Sequence, residues 1–399
     1  MTTVATETAG AAGVTCPVCG ATTDPPFIRI ADVPVHCNVL WTSADDARAA
    51  PRGDLDLVFC PTCGHVHNAA FDDARTTYGA TYENSLHHSA VFQTYAGELV
   101  GELVERYGVR DSDIVEIGAG QGDFLEMLCA AGSNRGTGFD PSFVDADTER
   151  SDIRLVPAFY GEEHAEHPAD VILCRHVLEH IGPAGDFVAM VRRVIGDRSG
   201  TLVVFEVPNA DWTFRDGGIW DLIYEHCGYF SEPSLRTAFR RNQFAVERVD
   251  SVFGGQFLVL IGRPAPATDS SHEPDRDAVS ALSDDIATFA RAYEERVTAW
   301  NQRFRELADA GLRAVIWGAG SKGVMFLNSV DTAGVVDRAV DINPRKRGMH
   351  IAGTGQVIVS PDDLRGDRPD VVVVMNPNYR DEIAATLAGL GITADLLVP

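Results

Sequence analysis

Val115-Glu116-Ile117-Gly118-Ala119-Gly120-Gln121-Gly122-Asp123-Phe124 passes from an apolar, β-branched run through a glycine turn into an amphipathic segment. That is the strand–turn–helix opening of a nucleotide-binding α/β unit. The glycines stand at the first, third and fifth positions of the turn. A dinucleotide fingerprint needs its third glycine one place later, where Asp123 stands, so a nicotinamide or flavin is disfavoured here. GxGxG is instead the S-adenosylmethionine pattern, in which the glycines let the backbone approach the methionine part of the cofactor. Asp140, in Gly138-Phe139-Asp140-Pro141, ends the next apparent strand, where a carboxylate can accept bonds from both ribose hydroxyls. Glu116, Gly118, Gly120, Gly122, Asp140 and Pro141 are therefore the expected cofactor contacts.

Working outward, the apolar runs Ile114 to Ile117, Asp170 to Cys174 and Leu202 to Val207 alternate with helical segments, the pattern of a parallel α/β sheet. Upstream, Phe92, Tyr95, Leu99, Leu103 and Tyr107 recur at three- and four-residue intervals and predict a helix. Downstream, Arg263 to Asp277 (RPAPATDSSHEPDRD) has almost no apolar anchor and reads as a linker. Val279, Leu282, Ile286, Phe289, Tyr293, Val297, Trp300, Phe304 and Leu307 then trace one long helical stripe. A second α/β unit follows, with apolar runs at Arg313 to Trp317, Val335 to Ile342 and Val371 to Met375. Its turn, Trp317-Gly318-Ala319-Gly320-Ser321-Lys322-Gly323, does fit the dinucleotide spacing, with Asp341 further on. Only 88 residues follow Gly311, about half of a full dinucleotide fold. A half fold that seats a nucleotide or pyrophosphate at its helix N-terminus is the expectation; a pure scaffold and a true NAD site stay open.

Cys16-Pro-Val-Cys19-Gly20 and Cys60-Pro-Thr-Cys63-Gly64 are matching turns. Four soft thiolates suit tetrahedral zinc, and a site with no position left for water is structural. Four reduced thiols or an iron site are the alternatives; His65 or His67 could replace a cysteine, but surface histidines with no ligand role are the expectation. Cys37, Cys129, Cys174 and Cys227 stand singly, so no disulfide framework is expected. The 399 residues carry a formal charge of −25, a field that repels nucleic acid and anionic lipid. No apolar run approaches a membrane span, and Met1 to Val14 has neither a cationic start nor an apolar stretch. The expected partner is a small molecule, with no nucleic acid and no membrane, in the cytoplasm; a monomer is compatible with everything in the sequence.

Two segments carry candidate chemistry. Arg175-His176-Val177-Leu178-Glu179-His180-Ile181 follows a strand. Its H-x-x-E-H also spells an inverted zinc-protease motif, which the strand-then-helix setting beside a cofactor turn argues against. His176 would face the cofactor's sulfonium, and His180 reads as structural. The second is Trp220-Asp221-Leu222-Ile223-Tyr224-Glu225-His226-Cys227-Gly228-Tyr229-Phe230. If extended, it sets Tyr224 and His226 on one face and Glu225 on the other. His226 then suits a general base, and Glu225 steers neighbouring structure.

With the double CxxC turns, Tyr78 to Ser85 (YGATYENS), Glu206-Val207-Pro208, Glu225-His226 before Tyr229-Phe230, Gly254-Gly255-Gln256 and the final GAGSKG with Asp341-Ile342-Asn343-Pro344, the chain resembles the three-domain sugar C-methyltransferases. The resemblance spans nearly the full length. It implies a zinc-binding module over 1–88, an α/β class I methyltransferase unit of Rossmann-like fold over 89–263, and a long helix with a second Rossmann-like, substrate-binding unit over 278–399. It implies C-methylation of a nucleotide-linked (dTDP-type) keto-deoxysugar in secondary metabolism, with His226 the base that removes the proton beside the ketone. Such a base yields an enolate carbon that attacks the sulfonium methyl, while donors stabilise the enolate oxygen. Tyr224, His176 and Tyr82 are the candidates for that oxygen and for the sugar; Ser321, Lys322, Asn343 and Asn376 complete the expected substrate contacts. Cys16, Cys19, Cys60 and Cys63 are the implied zinc ligands. One departure stands out: the family commonly reads Tyr-His-Glu-His where this chain has Ile223-Tyr224-Glu225-His226, so the tyrosine stands one place later. O-methylation of a sugar or natural-product hydroxyl would use the same base and cofactor, and a non-catalytic nucleotide-binding scaffold is the reading outside enzymology.

Overall fold

The computed structural model describes residues 13–76, 78–79, 81–143, 152–167, 169–266 and 273–399. Most of the stretch to Val14, Ala80 of the YGATYENS motif and 267–272 of the expected linker lie outside the described residues.

Among the described residues, three sheets organise the fold. The first is antiparallel, in the order β1 (Ile28–Pro34), β2 (Arg52–Phe59), β3 (Val66–Asn68) and β9 (Gly228–Tyr229), with helix α1 (Ala44–Arg48) between β1 and β2. Its last strand comes from the middle of the chain: Tyr229 pairs with Val66 and Gly228 with His67. The segment read from sequence as holding the base is thus part of the cysteine module's own sheet.

The second sheet has seven strands. β8 (Leu202–Pro208), β7 (Val171–Arg175), β4 (Asp113–Ile117), β5 (Arg135–Phe139) and β6 (Ile153–Val156) run parallel, and β11 (Phe257–Pro264) and β10 (Phe244–Val252) close it antiparallel beyond β8. Strands β7, β4 and β8 are buried along nearly their whole length, which explains their unbroken apolar runs. The helices α2 (Ala90–Glu105), α3 (Asp123–Gly132), α4 (Ala184–Ile195), α5 (Ala210–Arg215) and α6 (Glu232–Arg241) accompany it. β4 lies between β5 and β7, so connections leave it in opposite directions. The crevice at the carboxyl end of such a strand is where α/β sheets bind ligands.

The third sheet is wholly parallel, in the order β14 (Val357–Val359), β13 (Val336–Val340), β12 (Ala314–Trp317), β15 (Val371–Val374) and β16 (Asp395–Leu397), with α8 (Ser321–Ser329) and α9 (Arg380–Leu390). Ahead of it, α7 runs from Arg276 to Asp309, 34 residues and so roughly 50 Å. Val279, Leu282, Ile286, Phe289, Tyr293, Phe304 and Leu307 of the expected stripe are buried, while Val297 and Trp300 are half-buried. Each large apolar side chain so buried contributes ~1.5–3 kcal/mol. One continuous core takes in the first sheet, 210–229, α7 and one face of the third sheet. Within it Phe289 meets Phe214 at 5.1 Å and Phe326 meets Trp220 at 4.6 Å. No described helix is long and apolar enough to cross a membrane.

Candidate active site

The two glycine turns face the same cavity. A space of about 480 Å³ is bordered by Gly118, Ala119 and Gly120 from the end of β4, by Gly318, Gly320 and Ser321 from the end of β12, and by Asn38 and Tyr82 of the cysteine module. His176, His180 and His226 lie on its wall.

On the β4 side the backbone is built for close approach. Gly118 has φ +73, and a Cβ there would meet Val177 Cγ2 at 2.1 Å, so no other residue fits. A Cβ on Gly120 would meet nothing within 4 Å, leaving its face open for a ligand. Glu116 is 3% exposed and its Oε2 has no partner. Burial raises its pKa to about 8, the nearby Arg175 guanidinium opposing. A buried carboxyl with one oxygen left without a partner, beside an open glycine, fits a cationic cofactor.

Asp140 is arranged differently from expectation. Its Oδ2 accepts from Gly120 N at 2.8 Å, and its Oδ1 from Ser142 N at 2.7 Å and Ser142 Oγ at 2.6 Å. Three of about four acceptor positions of the carboxylate are spent on the chain itself. Asp140, Pro141 and Gly122 are absent from the described cavity wall, whereas Ser142 is on it. Gly122, at φ +83, stands at the N-cap of α3. Residues 144–151, which follow, are outside the described set.

Beneath the histidines lies a buried charge network. Glu206, fully buried, accepts from Arg175 Nε at 2.6 Å and Tyr95 Oη at 2.8 Å. Burial disfavours its charge, but Arg175 and His176 outweigh that and hold its pKa at about 2. His176 sits at φ +55 with Nε2 3.2 Å from Glu206 and Nδ1 3.7 Å from Glu179. Burial pulls its pKa down, yet the two carboxylates raise it to about 9, so the ring is a cation at neutral pH. Glu206 carries a signal in sequence as part of Glu-Val-Pro, but nothing local ties it to Tyr95 or Arg175.

The segment Tyr224 to His226 is a tight turn, with His226 N donating to Ile223 O at 3.2 Å. The extended arrangement is corrected, because β9 begins only at Gly228 and the chain must reverse to reach β3. Tyr224 and His226 consequently part. Tyr224 packs against Gly53 and Phe71, its hydroxyl accepts from Asp72 N at 3.0 Å, and it is off the cavity wall. Glu225, fully buried, binds His36 Nδ1 at 3.0 Å and accepts from Cys37 N at 3.0 Å. It also lies off the wall and acts as a strut between the base segment and the cysteine module. His226 alone of the three faces the cavity, with its pKa well below the ordinary value, first from burial and then from His180, His176 and Lys322. Its ring is 4.9 Å from that of His180, whose Nδ1 lies 3.0 Å from Tyr78 Oη.

On the β12 side, Tyr82, Ser321, Lys322, Asn343 and Asn376 all border the cavity. Lys322 pairs with Asp221 and lies 5.2 Å from the Trp212 ring. Asp341, the acid expected of a dinucleotide site, accepts from Ala319 N at 3.0 Å, and Lys346 is 3.8 Å away. The cysteine module reaches across: Asn38 donates to Ser321 Oγ at 3.2 Å, and Glu83 accepts from Asn343 and Arg345, each at 3.0 Å. These contacts, between residues more than 250 positions apart, have no signature in sequence.

Away from the cavity, Cys16, Cys19, Cys60 and Cys63 bring their sulfurs within 4.8 Å of one another. The Cys16–Cys63 and Cys19–Cys60 separations are 3.7 and 3.5 Å. Tetrahedral zinc with bonds of ~2.3 Å needs edges of ~3.8 Å, so this buried cluster is compatible with a zinc module. His65 and His67 stack on each other beside it and are not in the cluster.

Residues 92–249 match a family profile described as a methyltransferase domain, and residues 254–394 match one described as a C-methyltransferase C-terminal domain. Among solved structures, the 1,6-didemethyltoxoflavin-N1-methyltransferase of Burkholderia thailandensis is similar over 44% of this chain and 82% of its own, at 17% identity and a TM-score of 0.34. The magnesium protoporphyrin IX methyltransferase of Synechocystis PCC 6803 is similar over 44% and 84%, at 16% identity and 0.34. Human N-acetylserotonin methyltransferase is similar over 44% and 53%, at 13% identity and 0.37. No curated protein matches the chain.

Proposed function

The chain being an S-adenosylmethionine-dependent methyltransferase with a C-methyltransferase C-terminal domain, we propose that it methylates a carbon of a nucleotide-linked keto-deoxysugar, with His226 as the base. The observation that carries this reading is the single cavity bordered by both glycine turns, with His226 on its wall and its two sequence neighbours turned away. The cofactor supplies an electrophilic methyl on a sulfonium, and Glu116, Gly118 and Gly120 are the residues that would hold it.

His226, kept neutral by burial, takes the proton from the carbon beside the acceptor's carbonyl. Negative charge then develops on the carbonyl oxygen, and preorganised donors in a water-poor site stabilise it. Tyr82 and His176, both on the wall, fill that role; Tyr224 is withdrawn from it by its burial against Gly53. Ser321, Lys322, Asn343 and Asn376 hold the nucleotide end against the N-terminus of α8, a setting that favours phosphate. The four cysteines hold a structural zinc, which fixes the module carrying Tyr82 and Asn38.

Incubation of the protein with methyl-labelled cofactor and a dTDP-4-keto-deoxysugar in deuterated water tests the reading. A carbon-bound methyl on the product, with solvent deuterium entering the alpha position of acceptor not yet methylated, is the expected outcome; an oxygen-bound methyl without exchange would overturn it.

A further inference from the structure

Glu179, His180 and His226 each offer one ligand atom, and the three atoms lie within 4.8 Å of one another on the cavity side of the fold. They come from different elements. Glu179 and His180 lie in the single helical turn Leu178–His180 after β7, and His226 in the turn before β9. The carboxylate is 1% exposed, and its Oε2 has no partner. Its other oxygen faces His176 at 3.7 Å, so one oxygen is engaged and one is left over. The His180 ring is oriented from behind, because Nδ1 is 3.0 Å from the Tyr78 hydroxyl. That leaves Nε2 for a ligand, the way a histidine is usually fixed at a metal centre. Both rings are only partly buried and open onto the cavity, so an ion with its remaining water ligands can enter.

We infer that Glu179, His180 and His226 form a second metal site, distinct from the four cysteines, which takes a borderline divalent ion such as zinc, cobalt or nickel. Two imidazoles and one carboxylate select such an ion over magnesium or calcium, which prefer oxygen ligands. Occupation engages the lone pair of His226. On the reading of His226 as the base, the ion and the substrate proton compete for one nitrogen, and metal binding silences proton abstraction. No bond to the methyl donor is involved, and no redox change is needed.

The test uses the full chain with zinc in its cysteine site, titrated with cobalt. One further equivalent is expected to bind with weak visible bands and no thiolate charge-transfer band, which separates this site from the cysteines. Glu179→Gln and His180→Ala should each weaken that binding at least about tenfold, with S-adenosylhomocysteine binding as the check that both variants are folded. Methyl transfer should fall in proportion to cobalt occupancy and return with a mild chelator that leaves the cysteine zinc in place. Absence of a further equivalent, binding indifferent to both variants, or transfer unchanged or raised at full occupancy would each overturn the inference. The cobalt titration needs no acceptor, so it decides the site even where the acceptor assay fails and with it the reading of His226 as base.

Discussion

Glu225 stands next to the proposed base, yet its carboxylate reaches away from the cavity, so its replacement separates chemistry from support. It is fully buried and makes two bonds of 3.0 Å, to His36 Nδ1 and from Cys37 N. Hydrogen bonds to a carboxylate contribute ~1.5–3 kcal/mol each, so two of them together contribute ~3–6 kcal/mol. Glu225→Ala should therefore destabilise the protein by about 3–6 kcal/mol, because the Cys37 amide loses its acceptor in a place water does not reach. Glu225→Gln keeps one acceptor oxygen and should lose about 1–2 kcal/mol. Urea unfolding followed by tryptophan fluorescence measures both. At temperatures where Glu225→Gln is folded, its methyl transfer should keep the pH profile of the parent with a modest drop in rate. A Glu225→Ala protein within 1 kcal/mol of the parent, or a stable Glu225→Gln protein as inactive as His226→Ala, would refute the assignment of Glu225 as a strut.

Further outcomes follow from the same geometry. Glu116, with its pKa raised to about 8, is protonated in the free protein at neutral pH, and a cationic cofactor favours the carboxylate; affinity should rise with pH toward 8 and binding should release close to one proton, read by calorimetry in buffers of different ionisation enthalpy and abolished by Glu116→Gln. The same group lowers stability as pH rises from the ordinary carboxyl value to about 8, since the folded form alone keeps its proton in that window; Glu116→Gln should flatten that slope in urea titrations. Gly118→Ala places a methyl 2.1 Å from Val177 at φ +73 and should abolish cofactor binding, at a stability cost of ~1–3 kcal/mol. Cys63→Ser should release about one equivalent of zinc and loosen the β3–β9 pairing that carries the base segment, seen as faster amide exchange at Gly228 and Tyr229.

Elements with a strong local period were legible in the sequence: the β4 turn with its helix, the paired cysteine turns, and the stripe of α7. Each depends on neighbours within a few residues, which is what periodicity and glycine spacing record. The segment from Ile223 to Tyr229 was not legible, because its conformation is decided by β3, some 160 residues earlier. Tyr224 looked like a site residue from its place beside His226, and only the turn that separates the two rings removes it. Glu179, His180 and His226 meet for the same reason, since pairing across the first sheet carries His226 toward the turn after β7. The role of Asp140 was half legible: the spacing gave its place at the end of β5, but Ser142, two residues on, takes much of the bonding that a ribose was expected to use.

The most direct measurement is exchange of the acceptor's alpha hydrogen for deuterium, followed by NMR on a dTDP-4-keto-deoxysugar with the parent and with His226→Ala, S-adenosylhomocysteine binding being measured on both. The account predicts unchanged cofactor-product affinity together with loss of both exchange and methyl transfer in the variant. Exchange at the parent rate in His226→Ala would contradict it.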